Sequence, residues 1–399
     1  MEQLIGIEEA RRRVLDEVRL LPAEYVPLER ALGRILAEHV TSGVDVPPFD
    51  ISAMDGFAIA SPDGGLLEVV GESRAGRPAD VEVALGTAVA ISTGAVIPDG
   101  AAAVVPVERT TREGAAVRAE AVKEGANIRR AGDDVRAGEA ILEAGRTLEP
   151  AALGVMASVG LAAAPCRARP RTAIVTTGDE LVEPGRELAA GQIWSSNSVA
   201  LAGQVARAGA ELVAERTVPD DPAATRSALA DALERSDVVC VSGGVSVGAH
   251  DHVKAAFGEL GVTERFWGVA LKPGKPTWFG VAERAEGRVL AFGLPGNPVS
   301  AMVTFQLFVR PALLALQGGE PAARVTTAVL DETLPRLRER DHAVRCSLHT
   351  ADDGLHVAST GAQDSHVLTS MLGADALAIV PRGDGAIGAG ERVAIELLD

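Results

Sequence analysis

Three glycine-bearing stretches and the acids beside them carry the chemistry that this sequence offers. "VVCVSGGVSVGAHDHVKAAF" (238–257) opens on four apolar residues and halts at Ser242. It then places Gly243, Gly244 and Gly248 within six positions and reaches Asp251. "TTGDEL" (176–181) and "LPGNP" (294–298) repeat the plan, an apolar run followed by small residues. Backbone N–H groups exposed at such ends suit an anion such as phosphate, because glycine leaves room for a close approach. One Gly-rich turn more often merely ends a strand. Three on one predicted sheet edge argue for a ligand. They put Thr177 and Gly178, Ser242, Gly243, Gly244, Ser246 and Gly248, and Gly296 and Asn297 around that anion.

Carboxylates accompany each stretch: Asp179 and Glu180, Asp220 and Asp221, and Asp251. Acids beside a phosphate cradle repel its ligand. A hard cation such as Mg²⁺ resolves the conflict by bridging carboxylate and phosphate oxygens. "KPGKP" (272–276) adds Lys272 and Lys275 in a loop that prolines stiffen, between apolar strands. Lysine acts as a point charge and suits a phosphate. Elsewhere the signals are single residues, more often structural when taken alone: Asp55 in "SAMDGF", Arg129 and Arg130 before "GDD" (132–134), and Arg345 and Ser365 near the C-terminus. No G-x-S-x-G elbow and no Walker A sequence is present. No Cys/His cluster shows transition-metal spacing. The seven histidines form no ligand pattern, and His250 and His252 would point to opposite sides of an extended chain.

The elements that must hold these residues follow from periodicity. Residues 7–22 have helical apolar spacing, and a second short helix is expected over 28–40. Short Val/Ala runs with Gly, Pro and Asp turns from about 66 to 122 read as a small β domain. Residues 147–160 read as a helix with a Thr147 cap and Pro150 in its first turn. From Arg171 strands alternate with helices: strand "TAIVTT", helix 195–208, strand "AELVAERTV", helix 222–234, strand "DVVCVS", helix 252–260. The runs "TERFWGVAL", "KPGKPTWFGVA" and "RVLAFGLPGNP" precede a long helix over 299–316. That alternation predicts a parallel sheet with right-handed crossovers, whose ligands bind beyond the carboxyl ends of the strands. The last stretch reads as a separate all-β module, and no repeat of 20–50 residues is visible.

With 399 residues the chain is too long for one core. The expected organisation is multidomain α/β. A helical linking unit covers 1–44 and 137–168, a small β domain 45–136, a parallel-sheet α/β domain 169–317 and a barrel-like β domain 318–399. At 47% hydrophobic, 23% charged and only 3% aromatic, the cores must be built from Val, Leu, Ala and Ile. The formal net charge of −17 argues against nonspecific binding to nucleic acid or to an anionic membrane, which needs a basic face. "MEQLIGIEEARRR" lacks a signal-peptide core, and the apolar stretch 151–165 is too short to span a bilayer. Three widely separated cysteines without C-x-x-C spacing suggest reduced, buried thiols in cytoplasm.

Taken in order, "PPFDISAMDGFA" (47–58), "STG" (92–94), "GDDVRAGE" (132–139), "TTGDEL", "SGGVSVGAHD", "KPGKP" and "GLPGNPVSA" (293–301) resemble the MoeA proteins. These are the molybdopterin molybdenumtransferases, to which the C-terminal domain of gephyrin also belongs. The resemblance spans nearly the whole chain. It implies a cytoplasmic homodimer of elongated four-domain subunits with a MogA-like molybdopterin-binding domain over about 169–317. It implies a reaction in which adenylylated molybdopterin and molybdate give molybdenum cofactor and AMP, dependent on Mg²⁺, and it admits contact with the molybdopterin adenylyltransferase. The family's important acids fall on Asp55, Asp134, Glu180, Asp220 and Asp251, of which Glu180, Asp220 and Asp251 are the implied metal ligands. Its other site residues fall on Thr93, Lys272, Pro295, Pro298, Arg345 and Ser365. Molybdenum ends on the dithiolene sulfurs of the substrate, so no protein sulfur ligand is required.

Three positions depart from the pattern. Ile51 stands where Asn is usual, Gly268 follows Trp267 where many members carry Lys, and Ser195 occupies a position where an acid is common. Losing a cation and two polar groups points to weaker oxyanion binding or an altered metal preference, so a tungstate-preferring paralogue is one alternative. A non-catalytic scaffold of the same fold is another. A third is an amidase of the CinA type, which shares "GDE" and "GG" loops but lacks "SAMDG" and the β domain before it.

Overall fold

The computed structural model describes residues 4–245, 252–285 and 287–398. Its central sheet has six strands in the order Glu211–Val218, Arg171–Thr177, Val238–Ser242, Gly287–Leu294, Trp278–Arg284, Thr263–Trp267. The first four run parallel, Trp278–Arg284 runs antiparallel to them, and Thr263–Trp267 runs antiparallel to Trp278–Arg284. The sheet is therefore mixed, where alternation of elements predicted a parallel one. A parallel connection needs a dozen or more residues, and Arg284 and Gly287 are only three positions apart, so those strands close as a hairpin. The run "TERFWGVAL" also divides. Gly268 turns the chain at φ +86°, and Leu271–Lys272 leaves to join another sheet.

Both faces of the central strands are covered, which is why they read as unbroken apolar runs. Ile174, Cys240 and Phe292 point to one face, where helix Ser196–Arg207 and the helix from Pro298 contribute Leu201, Val205 and Phe305. Val175, Val239 and Val241 point to the other, against Leu229 and Phe257 of helices Pro222–Arg235 and Val253–Glu259. The long helix runs through Pro298–Thr304, a π-turn at Phe305–Val309, and Arg310–Leu316. The wide turn immediately precedes Pro311, whose missing N–H interrupts the regular ladder. This helix is apolar over a length that could cross a membrane, but 72% of that window is buried inside the protein, as befits a core helix. Helix Ile7–Leu15 buries Ile7, Ala10 and Val14 in the same core. Arg11 fastens it to Leu307 O (3.1 Å) and to Glu396 (2.6 Å).

Residues 28–40, expected as a helix, contain only a 3₁₀ turn at Leu28–Arg30. Gly33 takes φ +73°, and the N–H groups of Gly33, Leu36 and Ala37 donate to Leu148, Arg146 and Pro165 at 2.8–2.9 Å. Tertiary partners outweigh the local helical spacing there. The helix expected from Thr147 begins at Pro150, because Thr147 pairs in extended form with Ile35.

The small β domain is a six-stranded sheet ordered Ala103–Pro106, Gly56–Ile59, Thr87–Ile91, Gly65–Ser73, Ala116–Ala119, Thr110–Glu113. In the C-terminal module the strands Asp341–Ala351, Gly354–Ser359, Val325–Leu330, Arg392–Leu397 and Ala376–Val380 pair in turn, and the last pairs back with the first. The barrel so closed has Leu271–Lys272 as an outer strand beside Asp341–His342. All three cysteines are buried and unpaired.

Candidate active site

A cavity of about 680 Å³ opens at the carboxyl ends of the parallel strands. Segments 176–178, 193–197, 242–244 and 295–298 line it, with Glu180, Leu181, Asp220, Pro276 and His366. The three glycine stretches thus converge, as strand ends in one parallel layer must. Asn197 pins two of them together. Its Nδ2 donates to Ser242 Oγ (2.8 Å) and to Gly296 O (2.7 Å), while Ser242 Oγ donates to Pro295 O (3.1 Å). Gly243 has φ +96°, and a Cβ placed there would stand 2.7 Å from Thr177 O and 2.8 Å from Thr177 Oγ1. Only glycine fits. Thr177 Oγ1 is buried at the cavity wall without a hydrogen-bond partner among the described residues, a donor held ready for a ligand oxygen.

The paired acids separate into two kinds. Asp221 caps helix Pro222–Arg235 by accepting from Ala224 N at 2.7 Å, and Asp179 accepts from Asp220 N at 3.1 Å. Both are engaged with backbone. Glu180 and Asp220 line the cavity instead. A Cβ on Gly178 would meet the Glu180 carboxylate at 2.6 Å, so the glycine makes room for that side chain. Two carboxylates from separate loops, beside backbone amides and a hydroxyl, form a hard-oxygen donor set suited to Mg²⁺ shared with a phosphate. Asp251, Ser246 and Gly248 lie outside the described residues.

Other predicted residues stand elsewhere. Asp55 and Thr93 meet at the edge of the small β domain, where Asp55 Oδ1 accepts from Thr93 N (2.7 Å) and Thr93 Oγ1 (3.2 Å). Neither they nor Asp134 line the cavity of their own chain. Arg130 pairs with Asp50 at 2.5 Å, a structural tie between loops. Ser365 reaches the rim, since its Oγ accepts from Asn297 Nδ2 at 2.8 Å and its carbonyl from Val299 N at 3.2 Å. Arg345 is fully buried. Its guanidinium donates to the carbonyls of Ala362, Gln363 and Asp364 at 3.2–3.4 Å and to Ser370 Oγ, holding the loop that presents Ser365.

Lys272 is half-buried in the strand that pairs with the barrel, whereas Lys275 is exposed. Beside Lys272 lies His342, buried with neither ring nitrogen partnered among the described residues. Burial, and then the charges of Lys272, Arg345 and Arg340, push its pKa down to about 4 from 6.5. The unfolded chain therefore takes up a proton that the native fold refuses. Stability is full above pH 6.5 and falls as the pH drops toward 4, by at most about 3 kcal/mol. Unfolding midpoints in urea across that range should show the slope, and His342→Phe should flatten it. An unchanged slope in the variant would mean that the buried ring is not its source.

Sequence reasoning passed over Asn197, Trp194 and His366. Trp194 and Ile193 are both more than half exposed at the cavity. In a chain only 3% aromatic, an exposed tryptophan beside a glycine loop was the available signal. Of the departures, Ser195 is buried at the cavity and bonds Ser198 Oγ (3.3 Å), and Ile51 pairs with Arg129 and Val96. Gly268 lies in a left-handed turn on which Leu4 packs, 2.7 Å from an ideal Cβ. A lysine here would carry backbone strain of about 1–2 kcal/mol. Gly268→Lys, attractive as a restored cation, is thus an unfavourable replacement in this fold.

Comparison with known proteins covers nearly the entire chain. Residues 5–160 match the MoeA N-terminal region (domain I and II), 173–315 a probable molybdopterin binding domain, and 327–398 the MoeA C-terminal region (domain IV). A molybdopterin molybdenumtransferase of Haemophilus influenzae is 36% identical over 402 residues, covering 98% of each chain. Molybdopterin molybdenumtransferase 2 of Mycobacterium tuberculosis is 37% identical over 409 residues, with the same coverage. The crystal structure of the molybdopterin biosynthesis MoeA protein of Pyrococcus horikoshii superposes with a TM-score of 0.82 at 31% identity, covering 99% of this chain and 100% of that one.

Proposed function

Since the chain belongs to the MoeA family of molybdopterin molybdenumtransferases and acts in molybdenum cofactor biosynthesis, we propose that it inserts molybdate into adenylylated molybdopterin and releases AMP. The observation that carries this reading is the cavity itself. Glycine loop ends, a hydroxyl without a partner among the described residues and two acids on separate loops meet at one sheet edge. A phosphate-linked substrate that shares a divalent cation with the protein is what such a set accepts.

The chain's own groups divide the work as follows. Gly243 and Gly244 let the substrate phosphates approach the backbone, and Thr177 Oγ1 donates to one of their oxygens. Trp194 offers a flat apolar face to a heterocycle. Glu180 and Asp220, with Asp251 as a third donor, would hold Mg²⁺, which would supply positive charge to the substrate phosphates. Lys272 attracts the oxyanion, while Arg345 keeps the Ser365 loop in position beside Asn297. Asp55 and Thr93 complete the site from a second copy of the chain, in a cytoplasmic homodimer that also meets the molybdopterin adenylyltransferase.

The test is AMP release from adenylylated molybdopterin by the purified full-length protein. Release should require molybdate. Release without oxyanion, or none with it, would overturn the reading. A parallel titration with tungstate distinguishes a tungstate-preferring paralogue. Substrate binding without any turnover would favour a scaffold. Lys272→Gln should raise the molybdate KM roughly tenfold or more, the scale of one charged hydrogen bond. Lys275→Gln should do much less, because Lys275 is exposed and its carbonyl, not its ammonium, makes the local bond to Val269 N. Equal shifts would remove Lys272 from the oxyanion's path.

A further inference from the structure

We propose that Asp331, His349 and His356 form a zinc site on the outside of the C-terminal barrel. The residues look unrelated in sequence, and the barrel's pairing brings them together. His349 and His356 are directly opposed across the hairpin of strands Asp341–Ala351 and Gly354–Ser359. Asp331 follows strand Val325–Leu330, whose Leu330 pairs with Val357, and Asp331 N donates to Val357 O at 3.0 Å. Three paired strands therefore fix the three Cα positions before any ligand arrives.

His356 Nδ1 and Asp331 Oδ1 share a hydrogen bond, and zinc would take the place of the proton between them, while His349 already stands at ligand spacing. One ligand atom from each residue lies within 4.8 Å of the other two. His356 Nδ1 is 2.8 Å from Asp331 Oδ1, and His349 Nε2 is 3.5 Å from Asp331 Oδ2. Tetrahedral zinc, with bonds of about 2.0–2.2 Å, sets its ligand atoms about 3.3–3.6 Å apart. The second imidazole stands at that spacing, too far for a good hydrogen bond to the carboxylate. The far nitrogen of His356, Nε2, lies 2.7 Å from Asp353 Oδ1. A carboxylate behind a ligating imidazole, fixing its tautomer and orientation, is the usual support of a zinc histidine. His356 is mostly buried and His349 half-exposed, which leaves a fourth position for water. Two imidazoles and one carboxylate select zinc-like ions over Mg²⁺, so this site differs in metal type from the acids of the cavity. Bound there, zinc links both strands of the hairpin to the strand beside it and clamps the barrel.

The test uses tag-free, full-length protein freed of metal with a chelator. Zn²⁺ titrated by calorimetry should bind once per chain, and Co²⁺ in its place should give the visible absorption of a tetrahedral ion. His349→Ala should weaken binding by at least about tenfold, and Asp353→Asn by about 10–100-fold, the usual cost of losing an outer partner. Zinc should raise the melting temperature of the wild type but not of His349→Ala. That ring is half-exposed, so the variant should fold, and retained AMP release will report that it has. No one-to-one binding of Zn²⁺ by the wild type, or equal affinity in a His349→Ala/His356→Ala double variant, would overturn the proposal.

Discussion

Asp55→Asn and Glu180→Gln are each expected to lower AMP release by a hundredfold or more as separate proteins, and to regain about a quarter of wild-type activity when mixed. Glu180 lines the cavity, and Asp55 stands on the small β domain, outside the cavity of its own chain. In the proposed two-fold dimer the β domain of one copy would face the cavity of the other, and each site would draw one acid from each chain. After exchange half the dimers are hybrids, with one site doubly altered and one intact, and a quarter of the sites are then restored. The Asn substitution also isolates charge from shape. Asp55 accepts two hydrogen bonds from Thr93, and an amide oxygen can accept the same two. A folded but inactive Asp55→Asn therefore identifies the negative charge as the missing property. If mass spectrometry shows hybrids and activity stays absent, shared sites are ruled out. If Asp55→Asn alone keeps most activity, the residue serves only the turn before Gly56.

Gly243→Ala is expected to reduce kcat/KM by at least about a hundredfold while the protein still folds. Two costs combine. At φ +96° an alanine is strained by about 1–2 kcal/mol. Its methyl group would also press on Thr177 O and Oγ1 at 2.7–2.8 Å, and backbone cannot retreat as a side-chain tip can. The strand end Arg171–Thr177 would have to shift, moving the hydroxyl that faces the cavity. Gly185→Ala separates these costs. Gly185 has a similar φ of +92° in an exposed loop, and nothing lies within 4 Å of its Cβ position. It should lose comparable stability by urea unfolding and keep its activity. Equal activity loss in both variants would mean that strain alone, and not the cradle, matters at Gly243.

The sequence by itself determined the parts that depend on local chemistry. Glycine and proline at strand ends act through their own φ and their own missing atoms, so "TTGDEL", "SGG" and "LPGNP" were legible as strand ends, and all three line one cavity. Helices Ser196–Arg207 and Pro222–Arg235 fell within a residue of expectation, because their apolar spacing lies within their own turns and Asp221 caps the second. The ordered motifs were sufficient to indicate the family, which the full-length matches then showed.

What only the tertiary structure decided involves choices between equivalent local signals. Asp179 and Glu180 are neighbours of like charge, as are Asp220 and Asp221, and nothing in the sequence says which of each binds backbone. The position of the helix start assigns Asp221 to its cap and leaves Asp220 at the cavity. Residues 28–40 have helical spacing but find carbonyl partners in distant strands, and those bonds outweigh a weak local preference. Arg345 looks like an anion ligand until its burial shows that four loop acceptors already hold it. Asp331, His349 and His356 show no metal spacing along the chain. Strand register sets His349 opposite His356, and sheet closure delivers Asp331 beside them. Pairing between strands has no fixed period in sequence, so a site built across a barrel becomes visible only when the barrel is closed.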